Sequence, residues 1–223
     1  MNKSINKVVN IEKALAHIKD GSVIMVGGFM ANGSPETLID YLCATDIKNL
    51  TLICNDTGLP QKGVGKMVLL KKFSKIIASH VGLNKETARQ MSAGETEVIL
   101  VPQGTLIESI RCAGYGLGGF LTPTGIGTLV EQGKQKITLE GKQYLLEKPI
   151  KADVALIFAA KADRAGNLIY KGSMNNFNNM MAAAADITLV EADEVVEIGE
   201  LDPNQVMTPG IFVDYIINEG ACS

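Results

Sequence analysis

Apolar runs that alternate with helical patterns predict an α/β protein, with a largely parallel sheet flanked by helices in a single domain over residues 1–223. Three observations carry that expectation. The β-rich runs SVIMV (22–26) and LTLIC (50–54) are continuous rather than alternating, as in strands covered on both faces. The segments between such runs place apolar residues three and four apart. Glycine and proline gather at the joins.

Taken in order, IEKALAHIK (11–19) puts Ile11, Leu15 and Ile18 on one helical face. SVIMV follows as a strand, then the turn VGGFMANGSPET (26–37) and a helix over PETLIDYL (35–42). Ser34 suits an N-cap, Pro35 the first helical position, and Glu36 the positive end of the helix dipole. LTLIC, a helix around GVGKMVLLKK (63–72), strand KIIAS (75–79) and helix NKETARQMSA (84–93) continue the alternation. Strand EVILV (97–101) and helix GTLIESIRCA (104–113) complete it.

The middle changes character. GYGLGGFLTPTGIGT (114–128) carries six glycines and reads as a functional or packing loop. KITLEGKQYLL (136–146) forms two short runs around Glu140-Gly141, a hairpin signal, so a small central excursion is expected. Strands resume at DVALIFA (153–159) and NLIY (167–170), a helix at FNNMMAAAA (177–185), then strands at DITLVEA (186–192) and IFVDYII (211–217).

The strand–glycine–helix turn at 26–37 can seat an anionic group, because unpaired N–H groups point outward and glycine lets a ligand approach. A tight turn without a ligand fits the same local grammar. Two familiar identities fail. Gly28 and Gly33 have the glycine spacing of a nucleotide P-loop, but Ser34-Pro35 stands where Lys-[ST] is needed. The Rossmann spacing G-x-G-x-x-G is also absent, since the glycines fall at 27, 28 and 33.

Composition narrows the classes. A formal net charge of −3, 5% aromatic residues and no Trp offer neither a basic field nor a stacking platform for nucleic acid. Cys43, Cys54, Cys112 and Cys222 contain no C-x-x-C pair, and with only His17 and His80 the spacing gives no metal site. The thiols read as small buried hydrophobes. MNKSINKVVNIEK lacks the apolar core of a signal peptide, and VALIFAA (154–160) is too short to span a bilayer, so a cytoplasmic protein is expected. No G-x-S-x-G elbow occurs, and two histidines make a nucleophile triad improbable. Glu191, Asp193 and Glu194 in VEADE read as a solvated strand end.

Several segments, taken together in this order, carry more: IMVGGFMANGSPETLID, TLICNDTG, ASHVGLNKETARQ, VPQGTLIESIR, GFLTPTGIGTLVE, ADRAGN, NNFN and MTPGIFVDYI. The series resembles the alpha (A) subunit of class I coenzyme A transferases of the acetate, acetoacetate and butyrate type, over residues 20–217. That resemblance implies transfer of CoA from a short-chain acyl-CoA to a free carboxylate. A glutamate attacks the thioester, and covalent intermediates follow with ping-pong kinetics. Acyl-CoA is then a substrate, and no permanently bound cofactor is expected.

In the family that glutamate belongs to the beta subunit, within Ser-Glu-Asn-Gly. This chain has no such segment, and its nearest imitations are Glu131-Gln132-Gly133 and Glu219-Gly220. A beta-subunit partner in a heterotetramer is therefore implied, with this chain inert alone. By position, Gly27, Gly28, Phe29, Met30, Ala31, Asn32 and Gly33 match the family's CoA-binding loop, and Gln103 matches a glutamine that steadies the developing oxyanion. An amide tying strand to helix is the structural alternative for Gln103. Asn176-Phe177-Asn178 matches a structural or pocket-lining motif, with Asn175 where many relatives have arginine. The rivals are a single-chain sugar-phosphate isomerase on a related fold, which needs its own acid–base pair, and a non-catalytic anion-binding protein. The identity of the exchanged acids does not follow from the sequence.

Overall fold

The computed structural model describes residues 5–218 of the chain; Glu219-Gly220 and Cys222 lie outside the described residues. The elements in chain order begin with α1 (Ile11–Leu15), β1 (Val23–Val26), α2 (Glu36–Ala44), β2 (Leu50–Asp56) and α3 (Gly65–Leu69). They continue with β3 (Phe73–His80), α4 (Lys85–Ser92), β4 (Glu97–Leu100), α5 (Gln103–Gly114) and β5 (Phe120–Thr122). After β6 (Lys136–Leu139) and β7 (Lys142–Glu147) come β8 (Ala152–Asp163), β9 (Leu168–Ile169), α6 (Asn178–Ala183), β10 (Ala185–Val196) and β11 (Tyr215–Ile217).

The expected α/β architecture is present. Strands lie in the order β11-β10-β8-β1-β2-β3-β4, every neighbouring pair parallel, with β9 antiparallel on β8. The excursion is a separate sheet, β5-β7-β6, antiparallel throughout, with its hairpin at Glu140-Gly141.

Alternation along β1 explains its unbroken apolar run. Ile24 and Val26 pack into one core with Leu38, Ile39 and Leu42 of α2, while Met25 packs into the other with Leu106 and Ile110 of α5. Both faces are dry, so both sets of side chains are apolar. Elsewhere the periodic signal overran the hydrogen-bonded element. The helix read over 11–19 stops at Leu15, although Ile18 stays buried. That read over 177–185 is confined to α6, and of 211–217 only Tyr215–Ile217 is strand, behind a 3-10 turn at Gly210–Phe212. Periodicity reports burial, and burial continues past helix ends.

The start of α2 corrects two expectations. Pro35 is the N-cap rather than the first helical residue, and no side chain of its own caps the helix; the Ser34 hydroxyl instead donates to the Gly27 carbonyl at 3.3 Å. The free donors are met by Glu191 of β10, which was read as solvated. Its carboxylate accepts from Thr37 N (2.8 Å), Leu38 N (3.1 Å) and the Thr37 hydroxyl (3.0 Å). Proline cannot offer a capping oxygen, so a distant carboxylate does.

Burial pushes the Glu191 carboxyl up, against the downward pull of those donors. A folded pKa above the unfolded one makes its stability contribution full below the unfolded carboxylate range and diminishing as pH rises through the folded value. Glu191→Gln keeps an acceptor without titrating, so it should flatten that part of the profile of thermal midpoint against pH. Glu191→Ala leaves helix-start N–H groups unpaired and should cost about 1–3 kcal/mol at neutral pH. Thermal midpoints of the three proteins between pH 4 and 8 check both outcomes; identical profiles would remove the capping role.

Candidate active site

β1 is flanked by β2 on one side and β8 on the other, so strand order reverses there and a crevice opens at the carboxyl edge of the sheet. The turn after β1 closes on itself: Asn32 N donates to Phe29 O at 2.9 Å and Phe29 N to Asn32 O at 3.1 Å. Between them Met30 (φ 50°) and Ala31 (φ 65°) are both left-handed, a conformation that costs non-glycine residues roughly 1–2 kcal/mol each. Neighbours hold them there. Met30 N donates to Asp56 Oδ2 at 2.8 Å, and the other oxygen of Asp56 accepts from Gly58 N at 2.7 Å.

A second clamp comes from the far end of the chain. Asn176 Oδ1 accepts from Gly28 N (3.2 Å), and its Nδ2 donates to Asn32 O (3.0 Å). Fully buried Asn178 donates to Gly33 O (2.9 Å) and Met174 O (2.7 Å) while accepting from Phe158 N (3.1 Å). These contacts explain the glycines from within. A Cβ at Gly27 would stand 1.7 Å from Asn178 Oδ1; at Gly28 (φ 116°) it would stand 2.1 Å from Ser34 Oγ.

Gln103 opens α5 and its Nε2 donates to Asn55 Oδ1 at 2.9 Å. Ser79 Oγ holds the same asparagine, 2.7 Å from its carbonyl and 2.8 Å from Oδ1. An amide NH₂ carries two donors, so one N–H of Gln103 remains for another acceptor. The amide thus ties α5 to the end of β2, beyond the local strand–helix link of the structural alternative.

These parts enclose a cavity of about 540 Å³. Its polar wall is Asn32, Asn55, Gln103, Ser173 and Asn176; its apolar wall is Phe29, Met30, Ile107 and Phe177. Of the loop singled out from sequence, Phe29, Met30 and Asn32 line the cavity, whereas Gly27, Gly28, Ala31 and Gly33 do not. Asn55 and Asp56 were missed as individual residues; the signal was Asn-Asp-Thr-Gly closing an apolar strand, where polar residues meet a sheet edge. No lining side chain is ionisable, which leaves a proton-shuttling isomerase without its acid–base pair.

Other sequence candidates fall elsewhere. Glu131 ends a 3-10 turn, bound by Gly127 N at 2.7 Å and Lys136 Nζ at 2.9 Å, and does not line the cavity. Asn175 also stays off the lining, with its Oδ1 buried and unpartnered. His17 stacks on Tyr215 with ring centroids 5.1 Å apart. His80 ends β3, paired in register with Asp56. Burial pushes the thiols of Cys54 and Cys112 up, and that of half-buried Cys43 too. Among the described residues, no group of three His, Cys, Asp or Glu could hold a metal, and no helix is long and apolar enough to cross a membrane.

The sequence profile described as coenzyme A transferase matches residues 8–219. The acetate CoA-transferase subunit alpha of Escherichia coli is 54% identical over 211 residues, covering 95% of this chain and 96% of that protein. The acetoacetyl-CoA:acetate/butyrate CoA transferase alpha subunit of Clostridium acetobutylicum is 48% identical over 216 residues, covering 97% and 99%. In three dimensions the chain is similar to an Escherichia coli acyl-CoA transferase solved as a thioester complex with CoA, with a TM-score of 0.87 at 22% identity. That match covers 98% of this chain and 48% of the solved one, so this chain spans about half its length.

Proposed function

Because this chain belongs to the coenzyme A transferase family, we propose that it is the alpha subunit of an enzyme moving CoA between a short-chain acyl-CoA and a free short-chain carboxylate. Acetyl-, butyryl- and acetoacetyl-CoA are the donors to try first, in keeping with the names of its relatives. The observation that carries the reading is the convergence of Gln103 and the β1–α2 turn on one cavity without an ionisable wall. Such a site can bind and polarise a thioester but cannot attack it.

A glutamate of the beta subunit is the proposed nucleophile. Its carboxylate oxygen bonds to the thioester carbonyl carbon, and the C–S bond breaks to release CoA thiolate, leaving a mixed anhydride. The thiolate then attacks the glutamyl carbonyl and expels the first carboxylate, and the second acid runs these steps in reverse. Each addition places negative charge on a carbonyl oxygen. The spare N–H of Gln103 is suited to meet it, a contribution of roughly 3 kcal/mol to the barrier. Thr37, Glu191 and Asn178 hold the frame from outside the cavity lining, whereas Asn176 both clamps the turn and lines the cavity.

The working enzyme is proposed to be a cytoplasmic heterotetramer of alpha and beta chains. Co-expression with an untagged beta subunit should yield a co-purifying complex of that mass with ping-pong kinetics, while the alpha chain alone is inactive. Full activity from this chain alone would overturn the reading; a complex that binds no acyl-CoA would favour an anion-binding scaffold.

A further inference from the structure

One face of α5 carries two contrasting groups. Gln103 and Ile107 stand one helical turn apart, so their side chains project to the same side, and both line the cavity. Around Ile107 the wall is apolar. Phe177 is buried at 6% exposure, and Ile107 packs partly buried against the same core cluster, so neither yields like a surface side chain. Phe29 and Met30 are 39% and 48% exposed. The lining therefore combines amide and hydroxyl groups with the firm hydrocarbon of Ile107 and Phe177, and it contains no cation of this chain.

We propose that Ile107, backed by Phe177, is the end stop for the acyl chain, and that the cavity accepts short aliphatic monocarboxyl acyl groups and rejects dicarboxyl ones. The inference rests on the transfer reading above and extends it to selectivity. With the carbonyl oxygen at the Gln103 amide, the chain lies along α5 for one turn, about 5.4 Å, before meeting Ile107. That run holds a few methylenes. A distal carboxylate carried that far would meet the hydrocarbon of Ile107 and Phe177, with no cation of this chain in the lining to pair with it, and an unpaired buried charge is strongly disfavoured.

The test uses the assembled two-subunit enzyme with propionate as common acceptor, comparing kcat/KM for acetyl-, butyryl-, hexanoyl- and succinyl-CoA. The parent should prefer butyryl- over succinyl-CoA by ~10²-fold or more, since a site loses heavily when a polar group is left unpaired. Ile107→Ala should raise the hexanoyl-to-butyryl ratio ~10-fold, and Ile107→Phe should lower the butyryl-to-acetyl ratio by a similar factor. Because Ile107 packs on the core, Ile107→Val serves as a milder variant that should move the hexanoyl ratio the same way by less. Unmoved ratios in the variants that assemble, or equal use of succinyl- and butyryl-CoA by the parent, would overturn the inference while leaving the transfer reading intact. A parent complex that transfers no CoA at all would remove both.

Discussion

Gln103→Ala, assembled with a beta subunit, is expected to lose ~10²-fold or more in turnover with a smaller change in apparent acyl-CoA affinity. The asymmetry follows from where the amide acts. A donor aimed at an oxygen that becomes charged only in the transition state raises kcat more than it lowers KM. The fold should barely notice. Gln103 is exposed at the first position of α5, and alanine is a good helix former there. Its one side-chain hydrogen bond goes to Asn55 Oδ1, which Ser79 Oγ still reaches at 2.8 Å after the change. Steady-state rates beside thermal midpoints check the outcome. Unchanged turnover in a fully assembled complex would make Gln103 a structural amide and nothing more.

Gly27→Ala is expected to damage the fold severely, although it adds a single methyl group. The new carbon would sit 1.7 Å from Asn178 Oδ1. Asn178 cannot swing away, because it is fully buried and bonded to Gly33 O, Met174 O and Phe158 N. Overpacking costs about 1–3 kcal/mol, and breaking buried hydrogen bonds costs about as much again. A loss of about 3 kcal/mol or more, with a matching fall in assembled complex, should appear in chemical denaturation. Gly104→Ala is the contrasting change: nothing lies within 4 Å of its added carbon, and it sits in a helix. Its stability should be equal or higher by up to about 1 kcal/mol. Equal stability of the two variants would show that the clamp is loose.

The architecture was legible wherever a segment's own residues decide the outcome. SVIMV, LTLIC and the helical pattern after Pro35 declare their elements locally, because both sheet faces are dry and α2 has an apolar side. The glycine turn and Gln103 were legible through resemblance, and the structure brings them to one cavity. Glu191 was misread because its partners, Thr37 and Leu38, lie more than 150 residues away. A charged residue in VEADE looks solvated until the topology brings an uncapped helix to it. Asn55 escaped for a similar reason: its importance comes from Ser79 and Gln103, supplied by the next strand and by the helix after β4. Gly27 and Gly28 have a packing cause that the local sequence did not show, since the atoms that exclude a side chain there belong to Asn178 and Ser34.

The clamp on the β1–α2 turn also dictates an order of events as the chain is made. Gly28 bonds across 148 residues to Asn176, and Gly33 across 145 to Asn178. Synthesis delivers the amino-terminal half first, and contacts so distant in sequence form late because their loops must close first. β1 through β4 can pair as they emerge, yet β1 keeps one apolar edge open until β8 arrives. An open edge of that kind is a template for mispairing with another nascent chain. The turn that lines the cavity is therefore fully clamped among the last parts of the molecule, and a chain broken before residue 176 would carry every glycine of the turn and still lack the bonds from Asn176 and Asn178.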